Sequence, residues 1–254
     1  MTTATPLVET LRDGAVLVIT LRREQRRNAV DRALADALDA ALNTLDDDAT
    51  LRAGVLTGGT QVFCAGSDLA SGGDYVTERG GEYGVIRRQR RKPLVAAVEG
   101  IAFGGGMEIA LACDLVVAAD NARFGLPEVV RGVLPTCGAL FRTAQRLPAN
   151  IARELVLTGQ PMAAARAHAL GFVNALTSPG QALAQAVALA QQIAANAPLS
   201  VQASLGAMNT VLAAAEAHGW QATEEALAQI RGSEDVQEGI RAFFEKRPPV
   251  WQGR

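Results

Sequence analysis

Histidine, cysteine and aromatic residues are scarce in this sequence. Its 254 residues include 2 histidines and 3 cysteines, and only 4% are aromatic. Two histidines give little material for a histidine-rich metal site or a serine–histidine triad, so we expect no bound metal. Three cysteines without paired spacing form no disulfide framework, which is typical of a reducing compartment. We therefore expect a cytoplasmic protein whose core is mostly aliphatic.

Excess charge and long apolar runs are missing as well. The formal net charge is -2, which gives no general attraction for nucleic acid or an acidic membrane. No apolar stretch approaches the roughly 20 residues that a membrane-spanning helix needs. The N-terminus lacks a basic start followed by an apolar segment, so we expect no secretory signal. Hydrophobic residues make up 49% of the chain, enough for a substantial core, and 254 residues fit one large domain or one domain with a small appendage.

The apolar pattern predicts strands that alternate with helices in the first half of the chain. Strands are expected over residues 15–21, 51–58 and 92–100, and a helix is expected to begin at Asp31. This alternation is typical of a layered α/β architecture. After about residue 145 the pattern becomes helical, with breaks near 159–161 and 196–198. A basic run at 87–92 is interpreted as a solvated helix face or as a contact to a phosphate-bearing ligand.

The stretch "GIAFGGGMEIALACD" places three glycines, Gly104–Gly106, before Glu108 and an apolar run. It lacks the G-x-G-x-x-G spacing of a dinucleotide site. A glycine turn that enters a helix leaves several amide N–H groups unpaired, and the helix dipole adds partial positive charge there. Such a helix start suits an anion, including one that forms only during a reaction. Glu108 is then either a capping carboxylate or a catalytic group beside the anion.

Two other turns carry related features. Ala65 and Gly66 follow a predicted strand in "FCAGSDL" and can present an amide to a ligand. Glu128 opens a helical segment after the turn in "FGLPEVVRGVLP". The two glutamates therefore lie on separate glycine-punctuated turns, but periodicity does not show whether they face one pocket.

Several stretches in order resemble the crotonase superfamily, of which enoyl-CoA hydratase is the best-known member. They are "RRNAV", "FCAGSDL", "KPLVAAVEGIAFGGGMEIALACDLVVAAD", "ARFGLPEVVRGVLP", "ELVLTGQPMAAARAHALGFVN" and "AFFEKRPPVW". The resemblance implies an α/β fold, a crotonase-like spiral of repeated ββα units with a helical C-terminal region. It also implies a homotrimer or a dimer of trimers, with residues 1–195 as the spiral core and 196–254 as the helical trimerisation region.

The resemblance further implies reversible syn addition of water across the C2=C3 double bond of a 2-enoyl-CoA. Glu108 and Glu128 match the two catalytic glutamates, which hold one water, and Glu128 matches the residue that delivers a proton at C2. The amides of Ala65 and Gly105 match the oxyanion hole that binds the thioester oxygen. Coenzyme A is part of the substrate, so no separate cofactor is expected. We expect the two carboxyl groups to titrate as a coupled pair.

The same resemblance assigns a set of substrate and CoA contacts. The loop "RRNAV" lies along the CoA in relatives, the residues after Ala65 meet its adenine and pantetheine portions, and a C-terminal basic residue approaches its phosphates. The residues implied are Arg27, Ala29, Ala65, Ser67, Asp68, Leu69, Gly104, Gly105, Thr136 and Lys246.

Two alternatives remain open at this point. An enoyl-CoA isomerase or another crotonase-type acyl-CoA enzyme uses the same scaffold, although the pair of glutamates favours a hydratase. A non-catalytic acyl-CoA-binding protein is the second alternative. Thr136 stands where relatives commonly have glycine, and we expect it to narrow or polarise the acyl pocket. Arg23 replaces a common proline, a change that the sequence alone does not explain.

Overall fold

The computed structural model describes residues 6–72 and 75–254. The predicted loop of residues 70–84 therefore includes two positions, 73 and 74, that lie outside the described residues. Across the described part of the chain there are eleven strands and eight α-helices. The strands are β1 Val8–Asp13, β2 Val16–Leu21, β3 Ala53–Thr57, β4 Val76–Thr77, β5 Gly81–Glu82, β6 Leu94–Val98, β7 Ile101–Phe103, β8 Leu115–Ala119, β9 Arg123–Gly125, β10 Met162–Ala163 and β11 Ala175–Thr177.

The helices alternate with these strands and then dominate the C-terminal part. They are α1 Arg32–Asp47, α2 Gly105–Ala112, α3 Ala139–Arg146, α4 Ala149–Thr158, α5 Ala164–Ala169, α6 Ala182–Ala194, α7 Pro198–Ile230 and α8 Glu234–Glu245. Short 3-10 helices cover Glu24–Arg26, Leu69–Ser71 and Pro127–Arg131.

The main sheet has six strands in the order β1-β2-β3-β6-β8-β11. β1 and β2 form an antiparallel hairpin, and every other neighbouring pair in this sheet is parallel. Strands of a parallel sheet are covered on both faces, so they consist of continuous apolar runs rather than alternating ones. The fully buried β3 and β6 have this composition, which is why the sequence predicts them well.

Helix α6 covers one face of this sheet through a row of small side chains. Ala182, Ala186, Ala190 and Ala194 recur every four residues and pack against Val16, Val18 and neighbouring apolar residues of the sheet. Residues four apart lie on one side of a helix, and methyl groups allow its backbone to approach the strands closely. Alternate residues of β2, Leu17 and Ile19, point to the larger core on the opposite face.

A second sheet has the order β10-β9-β7 and positions the candidate site. β7 and β9 are parallel, and Phe103 pairs with Gly125 at their carboxyl ends. The segment at Cys64 runs parallel to β7 on its other side, with the Phe103 amide donating to the Cys64 carbonyl at 3.0 Å. Three chain segments therefore end side by side, and each leads directly into a turn that the sequence analysis singled out.

The predicted layered α/β architecture is confirmed, with some differences in detail. α2 begins at Gly105, inside the glycine triplet, whereas the pattern places its start at Met107. The predicted loop at 70–84 contains the short hairpin β4–β5. A further helix break, between α7 and α8, has no proline and was not predicted.

The basic run at 87–92 has a structural role that neither sequence interpretation anticipated. Arg88 is buried and pairs with Asp39 and Asp46 of α1 at 2.6 and 2.8 Å. Lys92 is buried and donates to the carbonyl oxygens of Leu45 and Asp48, at the C-terminus of α1, where cations are favoured. These side chains fasten α1 to the body of the fold and do not form a solvated face.

The C-terminal region contacts the rest of the chain through both of its helices: Glu216 of α7 pairs with Arg142 of α3 at 2.9 Å, and α8 packs on the 3-10 helix Pro127–Arg131. Most of α7 is exposed, whereas Gly239 of α8 packs directly on the Arg131 backbone. The division at residue 195 remains a prediction, and the boundary falls at the end of α6. None of the helices in the described ranges is both long and apolar enough to span a membrane.

Candidate active site

A cavity of about 540 Å³ lies where the second sheet, the C-terminal helices and the turns after β7 and β9 meet. It brings together residues that the sequence analysis selected on separate turns. The predicted site residues that line it are Ala65, Ser67, Leu69, Gly104, Gly105, Glu108, Glu128 and Thr136.

At each glycine of the triplet, an added side chain would collide with a different neighbouring residue. Gly104 is the N-cap of α2 with φ +55, and a Cβ there would lie 2.9 Å from Oε1 of Glu128. A Cβ on Gly105 would lie 2.5 Å from the Tyr83 hydroxyl, and one on Gly106 would lie 2.1 Å from the Cys64 carbonyl oxygen. These distances are far below van der Waals contact, so the bare backbone is what lets α2 start against three other segments.

Glu108 lies in the first turn of α2 and is 2% exposed. Its Oε1 accepts hydrogen bonds from the backbone amides of Cys137 at 2.7 Å and Ala139 at 3.1 Å. Ala139 is the first residue of α3, so the carboxylate caps α3 rather than its own helix. Amide donors at a helix start favour the ionised form of a carboxyl group. The buried carboxylate is therefore held in a fixed orientation at the cavity wall.

Glu128 reaches the same cavity from the other side. It lies in the first turn of the 3-10 helix Pro127–Arg131, three residues after β9 ends, and is half-buried. Its Oε1 lies over Gly104, the residue that leads from β7 into α2. Because β7 and β9 are parallel neighbours, both glutamates emerge from the same edge of the second sheet. The pairing of β7 with β9 therefore explains why the two glutamates border one pocket.

The amide of Gly105 fits a donor to a substrate oxygen. Gly105 is the first residue of α2, and amides at that position have no acceptor within the helix. A Cβ on Gly66 would lie 3.0 Å from this nitrogen, so the turn at Gly66 lies directly against it. The two turns predicted to supply the oxyanion donors are therefore in contact.

The prediction that the Ala65 amide, in the other turn, is the second oxyanion donor is wrong. This amide donates to the carbonyl oxygen of Arg27 at 3.0 Å, so it is engaged inside the protein. Ser67 has the appropriate orientation instead. The Gly66 carbonyl and the Asp68 amide both bond to Val30, and backbone groups of an extended chain alternate in direction. The Ser67 amide consequently points away from Val30, toward the side where Gly105 lies.

Four predicted contacts do not line the cavity: Arg27, Ala29, Asp68 and Lys246. Arg27 is exposed in a left-handed conformation, and its carbonyl holds Ala65. Lys246 is the C-cap of α8 and lines a different cavity, beside Arg131.

Asp68 has a structural role within the loop that carries Ser67. Its carboxylate pairs with Arg23 at 2.8 Å and caps the 3-10 helix Leu69–Ser71 through the Ala70 amide. Burial acts to raise the pKa of Asp68, but the hydrogen bond and charge of Arg23 more than offset it, and the net pKa is lowered. Arg23 also pairs with Asp31 at 2.7 Å, which explains the unusual arginine: it ties the loop before α1 to the Ser67 segment.

Two residues at the site were not singled out from the sequence. Asn28 is fully buried and its side-chain amide donates to the carbonyl oxygens of Gly58, Val62 and Phe63, which locks the loop against the Cys64 segment. Tyr83 lines the cavity beside Gly105. No periodicity marks either residue, because each is placed by a contact between segments far apart in the chain.

The three cysteines are free and buried. Burial raises the pKa of Cys64 and of Cys113 to about 12, so neither provides a thiolate nucleophile near neutral pH. Within residues 6–72 and 75–254, no cluster of three or more His, Cys, Asp or Glu residues is placed to hold a metal ion.

The C-terminal helices supply an apolar wall opposite the glutamates. The wall consists of Leu227, Ile230, Val236, Ile240, Phe243 and Phe244. Two arginines, Arg131 and Arg231, also border the cavity. The Arg131 guanidinium lies 4.7 Å from the ring centroid of Phe243, so it covers one face of that aromatic ring.

Comparison with known proteins gives a consistent similarity over the whole length. The family model described as enoyl-CoA hydratase/isomerase matches residues 12–254. An enoyl-CoA hydratase of Mycobacterium tuberculosis is 36% identical, over 96% of this chain and 95% of the relative. A carnitinyl-CoA dehydratase of Salmonella typhi is 37% identical, over 96% of this chain and 97% of the relative. A solved structure of a carnitinyl-CoA dehydratase from Mycobacterium avium aligns with a TM-score of 0.93 at 44% identity, over 98% of this chain and 100% of that one.

Proposed function

This chain belongs to the enoyl-CoA hydratase/isomerase family, and on that premise we propose that it adds water reversibly across the C2=C3 double bond of a 2-enoyl-CoA. One observation carries the proposal. Glu108, Glu128 and the start of α2 at Gly105 border a single cavity, so two carboxyl groups and an anion-binding amide face the same bound molecule. The enzyme is then a hydro-lyase with syn stereochemistry.

The thioester oxygen is proposed to lie between the amides of Gly105 and Ser67. The contact between the turns at Gly66 and Gly105 supports this pair, and so does the direction of the Ser67 amide. Negative charge develops on that oxygen as an enolate forms, and preorganised donors stabilise it more in the transition state than in the ground state. The helix dipole of α2 adds to this stabilisation.

The two glutamates are proposed to hold one water against the double bond. Glu108 acts as the base because the amides of Cys137 and Ala139 favour its charged form. It takes one proton as the water oxygen bonds to C3 and the π electrons move onto C2 and the thioester. Glu128 then gives a proton to C2, and one proton transfer between the two carboxyl groups restores the starting state. Both new bonds form on the face that the glutamates occupy, which gives the syn outcome.

The acyl group is proposed to be uncharged beyond the reacting carbons, as in fatty acid and lipid metabolism. The apolar wall of α7 and α8 favours a hydrocarbon group, and Arg131 and Arg231 repel a cationic one. The reaction needs no cofactor, since the CoA is carried by the substrate. Free, buried cysteines support our proposal that the enzyme works in the cytoplasm.

Self-association is proposed through α7. This 33-residue helix exposes Met208, Val211 and Leu212 on one side, an apolar surface that a monomer would leave in water. A homotrimer or a dimer of trimers, as the family resemblance implies, would bury it.

Loss of the conjugated enoyl-thioester absorbance tests the activity. We expect Glu108→Gln and Glu128→Gln each to lower kcat/KM by about 10²- to 10⁴-fold, because each removes a proton-transfer group. Glu154→Gln is the matched control, since Glu154 is exposed and pairs with Arg166 outside the cavity. Binding of a 2-enoyl-CoA without turnover by the wild type would instead identify an acyl-CoA-binding protein. Turnover of 3-enoyl substrates alone would identify an isomerase.

A further inference from the structure

Glu128 is carried by a short element that its own hydrogen bonds hold weakly. The 3-10 helix Pro127–Arg131 has 5 residues, and the Gly132 amide that ends it donates to the Val129 carbonyl at 3.3 Å. Hydrogen bonds of a 3-10 helix have poor geometry, which is why such helices stay short. The position of the Glu128 carboxyl group therefore depends on the elements that pack around this helix.

Helix α8 packs on the backbone of the 3-10 helix without an intervening side chain. A Cβ on Gly239 would lie 2.0 Å from the Arg131 carbonyl oxygen and 2.4 Å from the carbonyl carbon. By contrast, a Cβ on Gly159, at the end of α4, would meet a methyl group of Val130 at 3.2 Å. A side chain adjusts to such a contact, whereas a backbone carbonyl adjusts only if the helix moves. The contact with α8 therefore sets the position of the 3-10 helix more firmly than the contact with α4.

The contact is reciprocal, because the end of the 3-10 helix also presents a glycine to α8. Gly132 has φ +68, and a Cβ on it would lie 2.6 Å from the Asp235 carbonyl oxygen and 3.2 Å from the Trp251 ring. Asp235 and Gly239 are four residues apart, so they lie on the same side of α8. Two glycines thus bring the two backbones together, and Trp251 of the C-terminal tail packs beside Gly132.

Gly239 lies in the interior of α8, where glycine is unfavourable. Alanine at this position would give a more stable isolated helix. Gly239 is buried, and it borders the same cavity as Glu128. The close approach to Arg131 is the physical reason for a glycine here, so helix stability is given up for a defined distance between α8 and the element that carries Glu128.

We propose that Gly239 is a positioning residue for Glu128: its bare Cα sets the distance between α8 and the 3-10 helix, and so places the Glu128 carboxyl group against C2 of the substrate. The inference rests on the proposed function for the role of Glu128. It goes further by making proton transfer at C2 depend on a residue of the C-terminal helix that carries no reactive group. A misplacement of about 1 Å costs a catalytic step on the order of 100-fold.

Gly239→Ala tests this dependence, because its methyl group forces α8 and the 3-10 helix apart. We expect kcat for 2-butenoyl-CoA, which has a short acyl group, to fall about 10- to 100-fold. KM should stay within about threefold of the wild type, because the amides at Gly105 and Ser67 do not move. Gly206→Ala is the matched control, since it adds the same methyl group to a helical glycine whose Cβ would meet nothing within 4 Å. It should keep wild-type kinetics.

Deuterium uptake at C2 of butanoyl-CoA in D₂O separates positioning from a general structural effect. This saturated thioester has no double bond to hydrate, so the exchange reports proton transfer at C2 alone. Glu128 takes a C2 proton, the electron pair moves toward the thioester oxygen, and a deuteron acquired from solvent returns to C2. We expect Gly239→Ala to slow the exchange by about the same factor as kcat, and Gly206→Ala to leave it unchanged.

A double-mutant cycle tests whether Gly239 acts through Glu128. In a Glu128→Gln background, adding Gly239→Ala should lower the residual hydration rate less than about twofold, because the group that Gly239 positions is already gone. An equal loss in both backgrounds would overturn the inference, since Gly239 would then act on the structure as a whole.

Trp251→Ala loosens the same contact without adding an atom. It removes the ring beside Gly132, and we expect it to lower kcat and C2 exchange together by about 3- to 10-fold. Circular dichroism and urea denaturation report whether each variant is folded. If Gly239→Ala does not fold, a folded Trp251→Ala enzyme with unchanged C2 exchange overturns the inference.

Failure of the proposed reaction is distinguishable from failure of this inference. If the wild type exchanges C2 protons, and Gly239→Ala slows that exchange, yet neither hydrates a 2-enoyl-CoA, the proposed reaction is wrong while the positioning role stands. A folded Gly239→Ala enzyme with kcat and C2 exchange within about twofold of the wild type overturns the inference. A loss confined to KM for longer acyl groups also overturns it, because Gly239 would then act only as part of the acyl wall. So does a wild type without C2 exchange, because Glu128 would then move no proton there.

Discussion

Gly105 contributes to the site in two ways, through its backbone amide and through its missing side chain. Its amide starts α2 and faces the cavity, and its missing Cβ admits the hydroxyl end of Tyr83. Alanine in the same backbone would supply the amide, but its Cβ would collide with the Tyr83 hydroxyl, so only glycine contributes in both ways. The functional importance of the position therefore follows from how closely two segments approach, rather than from backbone flexibility; unlike Gly104, Gly105 does not have a positive φ.

Gly105→Ala is expected to lower kcat/KM by more than about 10²-fold, because the new methyl group displaces both Tyr83 and the amide donor. Overpacking should also reduce the free energy of unfolding by about 1–3 kcal/mol, measured by urea denaturation. Gly206→Ala is the control: its Cβ meets nothing within 4 Å, and alanine favours the helix. Wild-type kinetics in Gly105→Ala would show that neither contact matters for catalysis.

At the scale of elements, the parallel pair β7 and β9 builds the site. Each strand ends and leads, within a few residues, to one glutamate, so their adjacency sets where both carboxyl groups emerge. α8 then closes the cavity from the C-terminal side, because Gly239 lies directly on the Arg131 backbone. The acyl pocket therefore depends on a helix that is more than 100 residues after the catalytic elements.

Two substrates that differ only in the charge of the acyl group test whether this wall and its arginines favour an uncharged group. The dehydration product of carnitinyl-CoA, 4-trimethylammoniobut-2-enoyl-CoA, and its neutral isostere 5,5-dimethylhex-2-enoyl-CoA differ only in N⁺ against C. We expect the neutral compound to have at least a tenfold higher kcat/KM, because Arg131 and Arg231 border the cavity. Arg131→Gln should bring the kcat/KM values of the two compounds closer together. Equal kcat/KM for the two compounds in the wild type would contradict the assignment of an uncharged acyl group.

The end of the chain is fastened to α8 through Glu234, Asp235 and Glu238, and Glu238 makes the contacts nearest the end of the helix. This carboxylate pairs with Arg247 and accepts a hydrogen bond from the Val250 amide, which lowers its pKa to about 2. A depressed carboxyl pKa stabilises the folded arrangement above the ordinary value of 4.5, and the stabilisation is lost as the pH falls toward 2. The tail should therefore remain attached at pH 6 and detach in the acid range below 4.5.

Emission of Trp251, which packs against Gly132, follows this detachment. In a Trp220→Phe background, we expect the emission to change between pH 4.5 and 2, while Glu238→Gln shows the altered emission already at pH 7. Far-UV circular dichroism distinguishes tail release from general acid unfolding. An identical pH profile with and without Glu238→Gln would show that this carboxylate does not hold the tail.

At the scale of the whole molecule, the exposed apolar face of α7 is the main feature that a single chain leaves unresolved. Met208 and Val211, three residues apart on this face, are 65% and 79% exposed. We expect sedimentation equilibrium to give three or six times the 26.5 kDa chain mass, and Val211→Asp to reduce it, since burying a charge in an apolar interface is costly. A 26.5 kDa species at micromolar concentration for the wild type would contradict the proposed assembly.

Much of the fold is predictable from this sequence, for a physical reason. β3 and β6 are buried on both faces and so are apolar throughout, and Asp31 caps α1 through the Leu34 amide, a local signal. The short strands of the second sheet were harder to predict because β9 and β10 have three and two residues. Their stability comes from partners distant in the chain, which no window of sequence contains.

The sequence by itself determined the family, the alternation of strands and helices, and the two glutamates on glycine-rich turns, because each depends on the order of residues along the chain. Only the tertiary structure decided which amides face the cavity. Ala65 was excluded by a carbonyl 38 residues earlier, at Arg27, and Tyr83 was brought to Gly105 by a bend packed on α1. The direction of a hydrogen-bond donor depends on which segment lies beside it, and that is fixed only when the chain folds.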